Sequence, residues 1–352
     1  MTGHGGNIYL ASRETGIPAW KILDFSASIN PLGIPKSASE AIRGHISMIP
    51  HYPEPFAETL SACIAQHWGV DQRSVLCGNG SNELIHLIAR VMKPKRVLLI
   101  DPTFSEYEKA CRGSHKTVFK RLKLRRKDDF DTDPAAFIRS MSDCDVAFLC
   151  NPNNPTGRLI PKKDVMNIAD AAREAHTCLV VDEAFIDFCP DESVIKAVSD
   201  NPYLIVLRSL TKFYALAGLR IGYGIFPFSV ADMLRRHKEP WTVNNLAAAA
   251  GKAVLNDGEY RAASLEIIHR EKRFMERRFD KAGIRYIRSK ANYYLVEMED
   301  AERVVRSLAG KGILVRDCSD FRGLGRGFIR VAVLSRKENR RLIEEIARLC
   351  AA

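Results

Sequence analysis

One lysine, Lys212, stands among residues that are suited to hold an anionic ligand. It lies in the stretch Val206–Gly222 (VLRSLTKFYALAGLRIG), where an apolar run ends in Ser209 and Thr211 and where Arg220 follows eight residues after the lysine. A lysine amine forms a Schiff base with a carbonyl compound only after it loses its proton, and desolvation beside another cation favours that loss. Because most lysines are solvated surface residues, the spacing, rather than the lysine alone, predicts a site for an anionic ligand with a carbonyl group.

Three further apolar segments end in side chains that could contact the same ligand. Val97–Phe104 (VLLIDPTF) ends in an aromatic ring, Val146–Gly157 ends in NPNNPTG, and Cys178–Phe188 contains DEAF. Segments that are apolar throughout and separated by helical patterns predict a mostly parallel sheet that is covered on both faces. Ligands bind at the carboxyl ends of such strands. We therefore predict a single site that contains Phe104, Asn154, Asp182 and Lys212.

A glycine turn before a helix is a second feature that can bind an anion. The turn at Gly78–Gly80 precedes Ser81 and Asn82, after which apolar residues recur at helical spacing. The backbone N–H groups at such a helix start are free to bind a phosphate. Many helices begin in this way, so the turn supports the prediction only in combination with the lysine stretch.

The composition is that of a globular protein with an excess of positive charge. The chain has 352 residues, of which 46% are hydrophobic and 27% charged, and a formal net charge of +11. Basic residues are spread along the chain, apart from the run Lys120–Lys127, which leads into several aspartates and predicts a solvated edge strand and turn. We therefore interpret the excess charge as favouring small anionic ligands, such as phosphates and carboxylates, over nucleic acid.

The sequence also argues against membrane and metal binding. No apolar run approaches the ~20 residues of a membrane span, and the N-terminus lacks the basic-then-apolar pattern of a signal peptide. We therefore expect a cytoplasmic protein that does not bind membranes. The nine cysteines stand singly, without the spacing of metal ligands, which predicts reduced thiols and no metal site.

Both ends of the chain carry further candidate binding groups. His4–Asn7 (HGGN) and Asp24–Pro35 (DFSASINPLGIP) are loops that either contact a ligand or pack as an N-terminal arm. Tyr52 lies on a segment that neighbouring prolines make rigid. Arg316 and Arg330 each interrupt an apolar strand, which is costly unless the arginine is paired. For these arginines, a salt bridge at a sheet edge and the binding of an anion are both open.

Taken together, the motifs resemble those of fold-type I pyridoxal-phosphate enzymes of the aminotransferase superfamily. The motifs are NPNNPTG, DEAF and SLTKFYALAGLR in that order, and the resemblance extends over essentially the whole chain. It implies an α/β fold with a large domain, built on a mostly parallel seven-stranded sheet, and a smaller α/β C-terminal domain. The expected parts are an N-terminal arm at 1–35 that contributes to the small domain and the active site, a large cofactor-binding domain at 36–258 and a small domain at 259–352.

The resemblance also implies a role for each candidate residue. Lys212 would be joined covalently to pyridoxal 5'-phosphate and Asp182 would pair with its ring nitrogen, and both would be catalytic. The cofactor would be held by Gly80, Ser81, Asn82, Phe104, Asn154, Asp182, Ser209, Thr211, Lys212, Arg220 and, from the other subunit of a homodimer, Tyr52. A small phosphorylated amino-acid substrate would be held by His4, Gly5, Asn30, Asn154, Arg316 and Arg330.

Two branches of the superfamily share parts of this pattern. SLTKFYALAGLR and YPEP resemble histidinol-phosphate aminotransferases, whereas HGGN, DFSASINPLGIP, DEAFIDF and PWTVN resemble threonine-phosphate decarboxylases of cobalamin biosynthesis. Phe185 stands where many relatives have tyrosine, so the hydroxyl that would share the cofactor's phenolic oxygen with Asn154 is missing. This difference argues against an ordinary aminotransferase.

The resemblance therefore favours a decarboxylase. The expected reaction converts L-threonine O-3-phosphate into (R)-1-amino-2-propanol O-2-phosphate and carbon dioxide. Decarboxylation of L-serine O-phosphate stays open as an alternative, because one methyl group is worth only about 1–3 kcal/mol of discrimination. Histidinol-phosphate aminotransferase is the rival activity.

Overall fold

The strands form three sheets in the computed structural model, which describes residues 5–114 and 116–351. In chain order the strands are β1 Leu23–Asp24, β2 Val75–Asn79, β3 Arg96–Asp101, β4 Val118–Lys123, β5 Val146–Cys150, β6 Cys178–Asp182, β7 Leu204–Ser209, β8 Ile221–Ile225, β9 Tyr286–Ile287, β10 Tyr293–Glu297, β11 Ile313–Leu314, β12 Arg316–Asp317 and β13 Phe328–Ala332. The α-helices are α1 Ile8–Thr15, α2 Lys36–His45, α3 Glu58–Trp68, α4 Ser81–Met92, α5 Glu106–Ser114, α6 Pro134–Met141, α7 Lys162–Glu174, α8 Phe228–Arg235, α9 Asn245–Leu255, α10 Gly258–Lys281, α11 Ala301–Gly310 and α12 Arg336–Ala351.

The largest sheet has seven strands in the order β2-β8-β7-β6-β5-β3-β4. Strands β3 to β7 are parallel to their neighbours among themselves, and β8 is antiparallel to both β2 and β7. This arrangement confirms the predicted α/β fold with a mostly parallel seven-stranded sheet. Every residue of β5, β6 and β7 is buried, as expected for central strands that are covered on both faces.

Successive residues of a central strand pack into two different core clusters. Val180 packs in a cluster with residues of α4, α5 and α8, whereas Val181 packs in the cluster that contains residues of α6 and α7. The alternation follows from the two-residue period of a strand. Because helices cover both faces, a ligand is expected to reach this sheet at its strand ends.

Strand β4 contains the first half of the basic run and lies at the edge of the large sheet. Its residues are partly or fully exposed in alternation, and a short turn at Arg126–Asp128 follows it. Lys120 and Arg121 pair with aspartates, Asp143 and Asp101 respectively. The run is therefore a solvated edge strand and turn, as predicted.

A second sheet is formed near the C-terminus, with the order β12-β13-β10-β9 and antiparallel pairing throughout. Helix α10, of 24 residues, precedes this sheet. Arg316 was predicted to interrupt one apolar strand, but two short strands, β11 and β12, lie here in different sheets, and β11 pairs with β1. This pairing joins the N-terminal segment to the C-terminal layer, and it supports our proposal that the domains divide near residues 35 and 258.

Within residues 5–114 and 116–351, no helix is long and apolar enough to cross a membrane. The same part of the chain contains no group of three or more His, Cys, Asp or Glu side chains that could hold a metal ion. The cysteines carry free thiols, and most of them are buried.

Candidate active site

A cavity of about 270 Å³ opens where β5, β6 and β7 end. The start of α4, the N-terminal segment and strands β12 and β13 complete its wall. The predicted site residues that line it are Gly5, Ser81, Asn82, Phe104, Asn154, Asp182, Ser209, Thr211, Lys212, Arg220, Arg316 and Arg330. Side chains from distant parts of the sequence therefore meet at one edge of the large sheet.

The amine of Lys212 lies in this cavity, where Nζ donates a hydrogen bond to the main-chain oxygen of Ala27 at 3.0 Å. Burial lowers the pKa of Lys212 to about 8, and the positive charges of Arg330 and Arg220 add to the effect. A useful fraction of the amine is therefore unprotonated near neutral pH. This is the state that can attack a carbonyl carbon.

Strand β6 ends in a buried carboxylate. The hydroxyl of Tyr107 donates to Oδ2 of Asp182 at 2.7 Å, and the backbone N–H of Ala184 donates to Oδ1 at 3.0 Å. Burial raises the pKa of Asp182, while these two hydrogen bonds oppose the rise. A cationic ring nitrogen beside this carboxylate would stabilise its charged form, because an opposite charge offsets desolvation.

The end of β7 and the start of α4 form a cup of hydrogen-bond donors. The hydroxyl oxygens of Ser209 and Thr211 are 2.7 Å apart, and Arg220 reaches the turn before α4. Gly80 in that turn has a φ of +74°, and a Cβ atom there would collide with the guanidinium of Arg220. Glycine therefore allows the arginine to approach the free amides of the helix start. Amides, hydroxyls and a guanidinium around one point fit a phosphate group.

Two buried polar atoms in the cavity wall lack a hydrogen-bond partner within the described residues. They are Oδ1 of Asn82 and Nε of Arg330. Buried polar atoms are seldom left unpaired, because the loss costs about 1–3 kcal/mol. Nε of Arg330 is a donor and suits an anion, whereas Oδ1 of Asn82 is an acceptor whose amide Nδ2 is 3.4 Å from Oε2 of Glu106. Of the two atoms, the unpaired donor of Arg330 is the one that indicates an anionic ligand.

Arg316 and Arg330 lie opposite each other on the neighbouring strands β12 and β13. Arg330 donates to the main-chain oxygen of Ser26 at 2.7 Å and to Oδ1 of Asn154. Arg316 is on the edge strand, and its Nη2 donates to both carboxylate oxygens of Asp320 at 2.7 Å. Arg316 is therefore both a salt-bridged edge residue and part of the cavity wall, so the two alternatives from the sequence do not exclude each other.

The predicted substrate-binding residue Asn30 does not belong to the cavity wall. Asn30 is buried, and its Nδ2 donates to the main-chain oxygen of Phe213 and to Oγ of Ser264, both at 2.7 Å. Its amide therefore supports the chain directly after Lys212, and we do not include it among the groups that would contact a substrate. His4 lies outside the described residues.

Tyr52 lies on the surface, with 84% of its area exposed. Its ring centroid is 5.3 Å from that of Trp241, whose backbone N–H donates to the main-chain oxygen of Pro55 at 2.7 Å. Within the described residues of one subunit, Tyr52 does not belong to the cavity wall. A contact between Tyr52 and the cofactor would therefore have to come from a second subunit.

Sequence reasoning missed a buried ion network behind the strand ends. Arg208 is 3% exposed, and it pairs with Glu183 at 3.0 Å and with Asp187. Glu183 directly follows Asp182, the last residue of β6, and Arg208 precedes Ser209 in β7, so the network links the tips of the two strands that carry these site residues. The sequence signal that could have revealed this network is a charged residue beside a site residue at the end of an apolar run. Glu183 stands beside Asp182, and Arg208 stands beside Ser209.

Sequence reasoning also missed the contact between Tyr107 and Asp182. It lies in α5, is fully buried, and its ring stacks on that of Phe148 at 4.9 Å. A tyrosine inside a helix belongs to no short motif, so only the fold shows that its hydroxyl reaches Asp182.

The cavity meets the requirements of an anionic cofactor with a carbonyl group, and the fold belongs to the class of α/β enzymes that bind such a cofactor at a sheet edge. Residues 21–346 match the model of the family described as Aminotransferase class I and II. The chain belongs to this family, and it is a pyridoxal-phosphate-dependent enzyme of fold type I.

The similar proteins in this family are named for two different activities, a decarboxylase and an aminotransferase. The chain is 39% identical over 348 residues to threonine-phosphate decarboxylase of Salmonella typhimurium, covering 97% of this chain and 95% of the relative. The crystal structure of histidinol-phosphate aminotransferase from Clostridium acetobutylicum is 30% identical, with a TM-score of 0.87 over 94% of this chain and 99% of that chain. L-threonine-O-3-phosphate decarboxylase from Porphyromonas gingivalis is 27% identical, with a TM-score of 0.82 over 94% of this chain and 100% of that chain.

The residues of the cavity fit pyridoxal 5'-phosphate. The donor cup at α4 and β7 suits the phosphate, and the glycine at position 80 leaves room for the guanidinium of Arg220 in that cup. Asp182 suits the ring nitrogen, Asn154 the phenolic oxygen and Lys212 the carbonyl carbon. The ring of Phe104, which is edge-on to that of Tyr107 at 5.6 Å, offers a stacking surface in the same wall. We propose these roles for the residues.

We expect capture of pyridoxal phosphate by the apoprotein to follow the titration of Lys212. The second-order rate constant should rise with pH and reach half of its maximum near pH 8, because the neutral amine is the nucleophile and its pKa is lowered to about 8. Stopped-flow measurement of the visible absorbance of bound cofactor, at a series of pH values, checks this expectation.

A Lys212→Ala variant is the control for capture by other lysines, such as Lys272, whose pKa burial also lowers to about 8. Replacement of one neighbouring cation, as in Arg330→Met, should move the midpoint to higher pH. A wild-type midpoint near the ~10.4 of an ordinary lysine would contradict the expectation.

Proposed function

We propose that the protein decarboxylates L-threonine O-3-phosphate to (R)-1-amino-2-propanol O-2-phosphate and carbon dioxide, a step of cobalamin biosynthesis. The observation that carries the proposal is the pair of neighbouring guanidinium groups, Arg316 and Arg330, in one cavity wall. The substrate has two anionic groups, a phosphate and an α-carboxylate, and a guanidinium binds either of them with two parallel hydrogen bonds. The 39% identity to a threonine-phosphate decarboxylase supports this choice.

Histidinol-phosphate aminotransferase is the second candidate, and the similarity to the Clostridium acetobutylicum structure favours it. Histidinol phosphate has a phosphate but no carboxylate, so it would use one guanidinium and leave the other to the amino donor. Phe185 speaks against this candidate. Its ring packs edge-on against Tyr293 at 4.9 Å, and it offers no hydroxyl to the cofactor beside Asn154.

In the proposed reaction, the side chains orient the substrate and move one proton. Bound pyridoxal phosphate supplies an electron sink for the bond that breaks at the α-carbon. Asp182 would keep the ring nitrogen protonated by its negative charge. Arg330 is held in place by Asn154 and Ser26. It would orient the substrate so that the bond between the α-carbon and the carboxylate, rather than the C–H bond, stands perpendicular to the cofactor ring and breaks.

Lys212 is the candidate proton donor in this scheme. After carbon dioxide leaves, the α-carbon must accept a proton. An amine with a pKa of about 8 is well matched to give one near neutral pH, since general acids work best when their pKa is close to the working pH.

Purified holoenzyme should release carbon dioxide from threonine phosphate without a 2-oxo acid as co-substrate. Trapping of labelled carbon dioxide, together with mass spectrometry of the phosphorylated amino alcohol, measures both products. Serine phosphate, assayed in parallel, tests whether the methyl group matters. The Lys212→Ala variant should release none, because the amine that binds the cofactor and delivers the proton is missing.

The rival activity gives the opposite result in the same experiment. Transfer of an amino group from histidinol phosphate to 2-oxoglutarate, without release of carbon dioxide from either phosphoamino acid, would overturn the proposal.

An Arg316→Ala variant should bind the phosphorylated substrate more weakly. We expect its KM to rise about 30-fold or more, since loss of one hydrogen-bonded charge typically costs about 2 kcal/mol or more. The absorbance of the bound cofactor should not change, because Arg316 lies outside the donor cup. Steady-state kinetics and absorbance spectra measure the two effects.

Arg306→Ala is a matched control for that variant. It removes an equal charge from an exposed pair with Glu302 on α11, and its KM should stay near the wild-type value. An unchanged KM in Arg316→Ala would mean that the substrate phosphate binds elsewhere.

We also propose that the enzyme is a homodimer with shared active sites. An exposed apolar patch is formed by Ile46, Met48, Ile49, Tyr52 and Trp241, which are 43% to 84% exposed. Large apolar patches on a protein surface usually mark an interface. A cleft of about 840 Å³ beside the donor cup is lined by Asn82, Arg220 and Trp241, so a partner segment that carries Tyr52 would have access to the cofactor phosphate.

Mixed dimers test whether Tyr52 acts across the interface. Lys212→Ala and Tyr52→Ala should each reduce activity strongly, because each removes one part of every site. After refolding or coexpression of the two variants together, activity should return to roughly a quarter of the wild-type value, since about half of randomly formed two-fold dimers then contain one intact site. A mixture of Lys212→Ala with Lys212→Arg should show no recovery, and lack of recovery in the first mixture would contradict the shared site.

A further inference from the structure

The two cavity arginines differ in their ionic partners. Both carboxylate oxygens of Asp320 accept from Nη2 of Arg316 at 2.7 Å, and the side chains are 34% and 7% exposed. Arg330 has no carboxylate within salt-bridge distance in the described part of the chain, and its Nε is unpaired there. An anion can therefore approach Arg330 directly, whereas at Arg316 a carboxylate of the protein already occupies the guanidinium.

Asp320 lies on a turn whose residues line two neighbouring cavities. The turn runs from β12 to β13, and it contains Gly323 and Gly325 with φ values of +91° and +68°. Phe321 lines the cofactor cavity and also a second cavity of about 410 Å³, whose wall includes Asp320. Asp320 therefore borders open space that belongs to the second cavity rather than to the cofactor cavity.

The second cavity also offers Asp320 other positive partners. Arg121 and Arg322 line the same wall. Arg121 is already paired with Asp101 and Glu108 at 2.9 and 2.8 Å. Arg322 is 60% exposed, and the carboxylate oxygen of Glu108 with which it pairs is 3.9 Å away, so this arginine is more weakly paired. A carboxylate that leaves Arg316 would thus enter a polar cavity with a solvated arginine nearby, rather than an apolar core.

We propose that Asp320 is a resident counter-ion of Arg316 and that the substrate's phosphate displaces it. The proposal rests on the function proposed above, and it adds Asp320 as a residue that sets the affinity for the phosphate. An anion and Asp320 compete for the same Nη2 donor, so the carboxylate weakens the binding of every anion at Arg316 by the same factor. It also shields Arg316 from Arg330, its neighbour across the strand pair, while the site contains no substrate.

Removal of the competing charge should strengthen phosphate binding. In Asp320→Asn and Asp320→Ala holoenzymes, the dissociation constant of inorganic phosphate and the KM of the phosphorylated substrate should both fall about three- to tenfold, because a partly exposed ion pair no longer has to be broken. Calorimetry with inorganic phosphate, at constant ionic strength, measures the first quantity, and steady-state kinetics measures the second. The cofactor's own phosphate fills the donor cup in the holoenzyme, so the cup does not contribute to the titration.

Asp317→Asn is the matched control on the same turn. It removes the same charge, but the Asp317 carboxylate accepts from the N–H and hydroxyl of Ser319 and not from Arg316. It should leave both constants within about twofold of wild type, the scale of a surface charge effect. A fall equal to that in Asp320→Asn would show a general charge effect and would overturn the proposal.

A double-variant cycle assigns the effect to Arg316. In an Arg316→Ala background, Asp320→Asn should leave phosphate binding unchanged, because the group for which the two anions compete is gone. Constants that rise in Asp320→Asn would mean that Asp320 orients Arg316 for the ligand, and constants that do not change would mean that no exchange occurs. Either result overturns the proposal.

The phosphate titration also separates this proposal from the proposed reaction. If threonine phosphate releases no carbon dioxide but Asp320→Asn still tightens binding of inorganic phosphate through Arg316, the counter-ion role stands and the assigned reaction fails. If carbon dioxide is released but phosphate binding is insensitive to Asp320, the reaction stands and the counter-ion role fails.

Discussion

The alignment of three parallel strand ends is the constraint on which the site depends. In the ladder, Cys150 of β5 lies opposite Asp182, and Asp182 lies opposite Leu207 of β7. A slip of β6 by one residue would turn Asp182 to the other face and bring Glu183 towards the cavity. The same slip would separate Glu183 from Arg208, and an unpaired buried charge costs several kcal/mol. The pairing of Glu183 with Arg208 therefore stabilises the register of β6 that places the carboxylate of Asp182 in the cavity.

The cavity has more cations than anions, and this imbalance determines which ligands it attracts. Among the described lining residues, four cations, Lys212, Arg220, Arg316 and Arg330, share the cavity with two carboxylates, Asp182 and Glu106. Such an excess suits ligands with several negative groups, and it lowers the pKa of the lysine. Main-chain carbonyl oxygens of the N-terminal segment accept from Lys212 and from Arg330. Neutral acceptors satisfy the donors without cancelling their charge, so the attraction for an anion is retained.

The sequence predicted the strands and helices of the large domain because apolar runs and glycine turns depend only on residues that are close together in the chain. The strand-end rule then selected the residues that meet in the cavity. What the sequence could not supply are contacts between segments that are far apart. The amide of Asn30 is bound by groups 183 and 234 residues away, and Tyr107 reaches a carboxylate 75 residues away. The run Ile313–Ser319 (ILVRDCS) contains no glycine or proline that would divide it, and only the pairing partners β1 and β13 show that it contributes to two sheets.

The fold alone does not select the reaction, since structures named for an aminotransferase and for a decarboxylase match the chain with TM-scores of 0.87 and 0.82. The groups proposed for the cofactor come from the start of α4, from the residues that end or follow β3, β5, β6 and β7, and from Arg220 directly before β8. Those proposed for the substrate come from β12, β13 and the N-terminal segment, which the pairing of β1 with β11 joins together. Arg330 bonds to both sets, through Asn154 after β5 and through Ser26. The packing of β12, β13 and the N-terminal segment against the large sheet therefore decides where the substrate's carboxylate lies relative to the cofactor ring. Small changes in this packing are sufficient to change which bond is aligned for cleavage.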